Sequence, residues 1–197
     1  MTENARCDPL VYHWNIGAPL RLLWNYRLMC LIETARFAVT PEPLSAAAFA
    51  RFGDVAERPI DVRRRYLPTA QDRSEEAATA TLWISSAARL GTLPLQLTTL
   101  ERHPYTAQTF IPLGSGSYLA IACASAADGT PDLATLRCFI AGAHQSVTFA
   151  RNVWHHPMTV LGEAMEFAVA MGMTGREDDD VFVSLDADVR VTLPPTA

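Results

Sequence analysis

Gln108-Thr109-Phe110-Ile111-Pro112-Leu113-Gly114-Ser115-Gly116-Ser117-Tyr118-Leu119-Ala120-Ile121-Ala122-Cys123-Ala124 is the stretch on which the fold turns. Its two apolar runs, 109–113 and 118–124, are too short for helices, and Gly114-Ser115-Gly116 separates them as hairpin-like turn material. Working outward, the same pattern recurs at 82–84, 93–100, 136–141, 146–149, 158–161, 165–171, 181–183 and 189–193. Turn residues punctuate these runs: Gly91, Asp128-Gly129-Thr130-Pro131, Gly142, Gly162 and Gly172. Many short strands at this spacing predict an all-β sandwich or barrel, and closure solves the problem of exposed strand edges. No helix-length apolar period interrupts them, so a βαβ sheet is excluded. One short helix is predicted ahead of the strands, within residues 43–53. Ser45 caps its start, alanines favour its body, and Gly53 suits a left-handed residue after its end. Residues 58–80 are polar and predict a loop, with Arg63-Arg64-Arg65 on a solvated surface.

The bulk composition agrees with one globular domain. The chain has 197 residues, 49% hydrophobic and 19% charged, and can bury a core without staples. Net charge is −5 with no dense basic block, which argues against a nucleic-acid partner and for a small molecule. Cys7, Cys30, Cys123 and Cys138 show no paired spacing and predict reduced, structural thiols in the cytoplasm. Residues 1–9 lack the positive start of a secretion signal. The apolar stretch 16–32 is broken by Arg21, Asn25 and Arg27, so no membrane span is expected. Residues 1–35 predict an extension of unassigned role, and 36–197 a single barrel domain.

Three of the five histidines fall in two short blocks, Glu101-Arg102-His103-Pro104-Tyr105-Thr106-Ala107-Gln108 and Asn152-Val153-Trp154-His155-His156-Pro157. Strand alternation puts Glu101 and His103 on one face and Arg102 on the other. Counting along Val147, Phe149 and Val153 points His155 inward and His156 away, unless Asn152 marks a turn that breaks the count. Glu101, His103 and Gln108 followed by His155 have the spacing of the two cupin metal motifs, with Glu for the first His and Gln for the usual Glu. Imidazole and carboxylate suit a divalent metal; a neutral amide is a weak ligand. The alternative is that both histidines are hydrogen-bonded core residues. No organic cofactor is indicated. The Glu177-Asp178-Asp179-Asp180 run lacks the spacing of a calcium loop and predicts a solvated loop.

These blocks carry a family resemblance. Leu100-Glu101-Arg102-His103-Pro104, Gln108-Thr109-Phe110-Ile111-Pro112-Leu113, Pro131-Asp132-Leu133-Ala134-Thr135-Leu136-Arg137 and Arg151-Asn152-Val153-Trp154-His155-His156-Pro157 resemble, in order and separation, the ureidoglycolate lyases. The likeness spans roughly residues 37–183 and includes the opening helix. It implies a mainly all-β cupin double-stranded β-helix, or jelly-roll barrel, with a short N-terminal helix. It also implies a homodimer that splits ureidoglycolate into glyoxylate and urea in allantoin catabolism, with a divalent metal in some members. His103, His155 and Gln108 are then the expected catalytic residues, and Arg102, Trp154 and His156 the substrate-binding ones. Glu101, His103, Gln108 and His155 form the expected metal set. The family's Asp-Arg-Gly-Gly stretch stands here as Met171-Gly172-Met173-Thr174-Gly175, so Arg102 or one of Arg63, Arg64 and Arg65 is expected to clamp the substrate carboxylate. Two other functions fit the same fold: a non-catalytic metabolite-binding cupin, and a metal-dependent cupin enzyme of another reaction class.

Overall fold

The computed structural model describes residues 35–88 and 93–192. The expected extension, apart from Ala35, lies outside the described residues, as do Cys7, Cys30, Gly91 and Leu193. Thirteen strands are described: β1 (Arg36–Val39), β2 (Glu42–Pro43), β3 (Gly53–Ala56), β4 (Thr79–Ala87), β5 (Leu95–Arg102), β6 (Gln108–Pro112), β7 (Ser117–Ser125), β8 (Pro131–Gly142), β9 (Ser146–Phe149), β10 (Trp154–His155), β11 (Thr159–Leu161), β12 (Met165–Met173) and β13 (Val181–Val191). One helix, α1 (Ala46–Phe49), lies between β2 and β3. The larger sheet runs β1-β13-β5-β10-β7-β8-β2 with β11 also on β7; the smaller runs β3-β9-β6-β12-β4. From β5 onward the chain passes repeatedly between the two sheets, which is the double-stranded β-helix expected of a cupin.

Two apolar layers explain why β7 reads as an unbroken apolar run. Tyr118, Ala120 and Ala122 face the space between the sheets with Phe110, Val147, Phe149, Phe167 and Val169. Leu119, Ile121 and Cys123 face the opposite side with Leu97, Leu100, Cys138 and Trp154. A strand buried on both faces has no polar alternate residues. Cys123 and Cys138 are free and buried, and burial pushes both thiols up to about 12, as expected of structural cysteines.

The helix is shorter than its sequence signals. Ser45 caps it by accepting from the Ala48 N–H at 3.2 Å, but it ends at Phe49. Gly53 is not its left-handed cap. It opens β3 at φ 143°, paired with Phe149, and a Cβ there would lie 1.9 Å from the Thr148 carbonyl oxygen. Close strand approach, not helix termination, requires this glycine. Arg137 anchors the helix by a two-pronged bond to Glu42 at 2.6 and 2.7 Å and by donating to the Ala48 carbonyl at 2.8 Å. Phe49 then joins Phe52, Phe139 and Phe149 in an edge-to-face cluster.

Other bounds are also corrected. Residues 58–80 are not all loop: Pro68–Gln71 forms a 3₁₀ turn and β4 begins at Thr79. The strand expected over 82–84 is nine residues long, with Leu82 and Ile84 exposed. The runs 181–183 and, as far as Val191, 189–193 belong to one strand, whose register breaks between Ser184 and Val189.

Candidate active site

The site begins where β5 and β10 pair. Glu101 stands opposite His155, which stands opposite Ala122 of β7, so both side chains face between the sheets. His103 lies just past the end of β5. Its carbonyl accepts from the Asn152 N–H at 3.1 Å, and the Pro104 carbonyl accepts from the Arg151 guanidinium at 3.2 Å. Asn152 adopts φ 61°, a left-handed turn that asparagine tolerates. The two histidine blocks are thus latched together through the backbone carbonyls of the first. Phe149 carries the packing of the core into the site, for its ring stacks on His155 at 4.2 Å and 8°.

The result is a cavity of about 520 Å³ lined by Glu101, His103, Gln108 and Asp180 on the polar side and by Trp83, Phe110, Met158, Val169, Met171 and Met173 on the apolar side. His103 and His155 are 4% and 1% exposed, with ring centres 5.2 Å apart. His155 Nδ1 lies 3.1 Å from the Val153 carbonyl, which can only accept, so that nitrogen carries the hydrogen. His155 Nε2 then presents a lone pair to Glu101 Oε1 at 3.4 Å and, in this amide orientation, to Gln108 Oε1 at 3.2 Å. Burial, the largest influence, depresses the His155 pKa, with the charge of His103 adding to it against an opposing bond to Glu101. Protonation of that ring is therefore a poor way to reconcile three electron-rich atoms.

His103 has a different environment. Its Nδ1 lies 2.9 Å from Asp180 Oδ1 and 3.3 Å from the Asp179 carbonyl. Burial alone would lower its pKa, but Asp180, then Glu101 and the Asp179 carbonyl, outweigh burial and raise it. Its Nε2 is buried with no hydrogen-bond partner. That orphaned atom is a test of metal fit, because a ligating histidine bonds through one nitrogen and leaves the other aimed at the ion. Donor atoms of Glu101, His103 and His155 lie within 4.8 Å of one another. Two imidazoles and a carboxylate suit a first-row divalent ion, and Gln108 Oε1 adjoins them. The residues present fit such a group.

The structure thus brings Glu101, His103, Gln108 and His155 together, and does not bring Arg102, Trp154 or His156 to the cavity. Arg102 lies over the Trp154 ring at 4.9 Å, and Trp154 donates from Nε1 to the Gly129 carbonyl at 3.1 Å, on the opposite face of the sheet. His156 Nδ1 sits 2.8 Å from the Pro157 carbonyl within its own turn. Arg63, Arg64 and Arg65 are exposed and line no part of the cavity. The acidic run is not simply solvated: Asp179 is 4% exposed, and its carboxylate accepts from the Thr174 and Gly175 N–H groups. Trp83, Ser85, Met158, Met171 and Asp180 went unread as site residues, although the parity of β4 could have placed Trp83 and Ser85 on one face.

Comparison with known proteins agrees with these blocks. The family model described as ureidoglycolate lyase matches residues 36–192. A protein of Agrobacterium fabrum (strain C58), named provisionally for that activity, is 36% identical over 79% of this chain and 95% of its own length. The ureidoglycolate lyase of Burkholderia mallei (strain NCTC 10229) is 36% identical over 65% of this chain and 78% of its own. That of Brucella abortus (biovar 1, strain 9-941) is 36% identical over 72% and 86%. Among solved structures, Bacillus subtilis oxalate decarboxylase shares 19% identity over 54% of this chain and 24% of its own at a TM-score of 0.36, a likeness too slight to carry an assignment. Matched along nearly all of its described length, the chain belongs to the ureidoglycolate lyase family.

Proposed function

We propose that this cavity splits ureidoglycolate into glyoxylate and urea, as a carbon–nitrogen lyase of allantoin catabolism in the cytoplasm. The observation that carries the reading is the pair of buried rings, His103 and His155, 5.2 Å apart beside Glu101, with His103 and Glu101 lining the cavity of a chain of this family. Ureidoglycolate is a carbinolamine. Its hydroxyl must lose a proton, its carbon–nitrogen bond must break as the carbonyl forms, and the departing urea nitrogen must gain a proton.

His103 suits both proton duties. Its Nε2 lone pair faces the cavity to take the hydroxyl proton, and Asp180 at Nδ1 steadies the resulting imidazolium. The same proton then returns to the leaving nitrogen. His155, held neutral by burial, serves to orient, with Gln108 beside it. The Gln108 amide nitrogen meets only the weak sulfur acceptor of Met171 at 3.5 Å, so it is placed to donate to a substrate oxygen. Thr81, Ser85 and Ser86 offer hydroxyls on the facing wall. A divalent cation held by Glu101, His103 and His155, with Gln108, would supply Lewis-acid polarisation of the substrate hydroxyl in place of the base role of His103, since its one Nε2 lone pair cannot serve both.

The test is glyoxylate release from ureidoglycolate by the purified protein, with chelator and with added Mn²⁺ or Zn²⁺. Release under either condition supports the reading. Binding without release would make the protein a metabolite-binding cupin.

A homodimer is part of the proposal. Ile84, Ala168 and Ile111 form one cross-strand row on the outer face of the smaller sheet, where Ile84, Ile111 and neighbouring Leu82 are 59%, 42% and 69% exposed. A symmetric dimer that covers this face would remove the exposed apolar row. Light scattering should report a dimer at micromolar concentration, and Ile84→Asp should halve the mass.

A further inference from the structure

The Glu177-Asp178-Asp179-Asp180 run has the composition of a solvated loop, yet three of its acids have separate tasks. Asp178 accepts from the Tyr105 hydroxyl at 2.7 Å, two residues beyond His103. Asp179 turns inward to hold the Thr174 and Gly175 N–H groups at 2.9–3.1 Å. Asp180, with a side chain 48% exposed, lies against His103 Nδ1 at 2.9 Å. Its site-facing partner is the contrast that matters. His155 has its Nδ1–H fixed by the Val153 carbonyl, a backbone group two residues away. His103 owes the corresponding bond mainly to a side chain from the other end of the barrel sequence.

We propose that Asp180 is a positioning residue, whose carboxylate holds the His103 ring as the Nδ1–H tautomer so that the Nε2 lone pair faces the cavity. Stability alone does not account for a His103 Nε2 that is buried, without a partner and on a residue of the cavity wall. The lone pair is needed whether Nε2 takes a proton or binds a cation. A carboxylate on the distal nitrogen also makes an imidazole a better donor to either. Asp180 lies outside the group of donor atoms within 4.8 Å of one another, consistent with action through His103 and not on an ion directly.

Two measurements on the full-length protein decide the matter, and neither uses ureidoglycolate, so failure of the lyase reading would leave them intact. The first is ¹⁵N NMR of histidine-labelled protein at a pH where both rings are neutral. His103 should be the Nδ1–H tautomer in the unsubstituted protein and shift toward Nε2–H in Asp180→Ala, while His155 stays Nδ1–H in both. The second is Mn²⁺ affinity after chelator treatment, expected to fall about 10–100-fold in Asp180→Ala. Asp180→Asn, which keeps an acceptor but loses the charge, should retain the tautomer and bind Mn²⁺ with intermediate affinity. If the alanine variant does not fold, the asparagine variant decides, and unchanged Mn²⁺ affinity there would overturn the proposal. If the unsubstituted protein does not bind Mn²⁺, the tautomer decides alone. A His103 that remains Nδ1–H in Asp180→Ala would overturn it, because the Asp179 carbonyl would then suffice.

Discussion

Glu101 and Arg102 are neighbours in β5, and Trp154 and His155 are neighbours in β10, yet each pair is divided by the thickness of the sheet. On the inner face Glu101 meets His155 beside an orphaned ring nitrogen and a cavity. On the outer face Arg102 lies over Trp154, whose Nε1–H reaches Gly129, and the indole joins a fully apolar layer. Both faces use an aromatic ring and a charged group. Each leaves a buried nitrogen unpaired, Arg102 Nε outside and His103 Nε2 inside, but only His103 lies on the wall of the cavity. A block such as Glu-Arg-His-Pro or Trp-His-His-Pro therefore carries two jobs in alternate residues, chemistry inward and packing outward.

The sharpest way to break this comparison is to truncate one residue on each face. His103→Ala should lower lyase turnover by about 10²–10⁴-fold, the usual cost of a positioned acid or base, with a melting temperature within a few degrees. Trp154→Ala should do the reverse. Loss of a large buried aromatic costs about 3–5 kcal/mol of stability, while turnover per folded molecule below the melting transition should change little. If Trp154→Ala removed turnover without loss of stability, the outer face would belong to the site after all.

Much of this division was legible in the sequence. Alternation along β5 separated Glu101 from Arg102, and the count from Val147 placed His155 inward despite the turn at Asn152. Val147, Phe149 and Val153 do lie in the layer between the sheets, together with Ala122, which stands opposite His155. Trp154 was misread because adjacency to His155 in a recognisable block suggested a shared duty, although strand parity forbids it. Asp180 was hidden because its run has the composition of a solvated loop, and its function depends on contact with His103, 77 residues earlier in the chain. The arginine clamp expected of Arg102 or Arg63–Arg65 fails because β5 turns Arg102 outward and the arginine run stays on the surface. Periodicity reports which way a side chain points; it is silent on which distant element it meets.

Arg102→Ala is a smaller test. It removes a cation–π contact worth about 0.5–2 kcal/mol and a long bond from Nη1 to Asn152 Oδ1 at 3.4 Å. Chemical denaturation should show a loss in that range, with KM for ureidoglycolate unchanged. A large rise in KM with unchanged stability would restore Arg102 as the carboxylate clamp and place the substrate beyond the described cavity.

The smallest effect, and the one most selective for the inner face, is on pH dependence, since Trp154 has no ionisable group while His103 and His155 both do. Burial chiefly depresses the His155 pKa. The unfolded chain takes up a proton near pH 6.5 that the folded one resists, so stability from this residue is present above that pH and declines as pH falls toward the folded value. His103 runs the other way. Burial pulls its pKa down, but Asp180 outweighs burial and raises it, so its contribution is complete below about pH 6.5 and is lost as pH rises through the folded value. The two slopes have opposite signs on either side of about pH 6.5, so the urea midpoint of the native protein should be highest near that pH and decline in both directions. His103→Gln removes one slope and also relieves the lesser, charge-based part of the His155 depression, while burial remains. Its midpoint should lose the alkaline decline of the native protein and keep an acid decline, somewhat shallower than the native one. A variant profile that flattens at acid pH instead would mean that His155 takes up its proton as readily folded as unfolded. The neutral Nε2 assigned to it, and with it the convergence of acceptor atoms on one point of the cavity, would then be wrong.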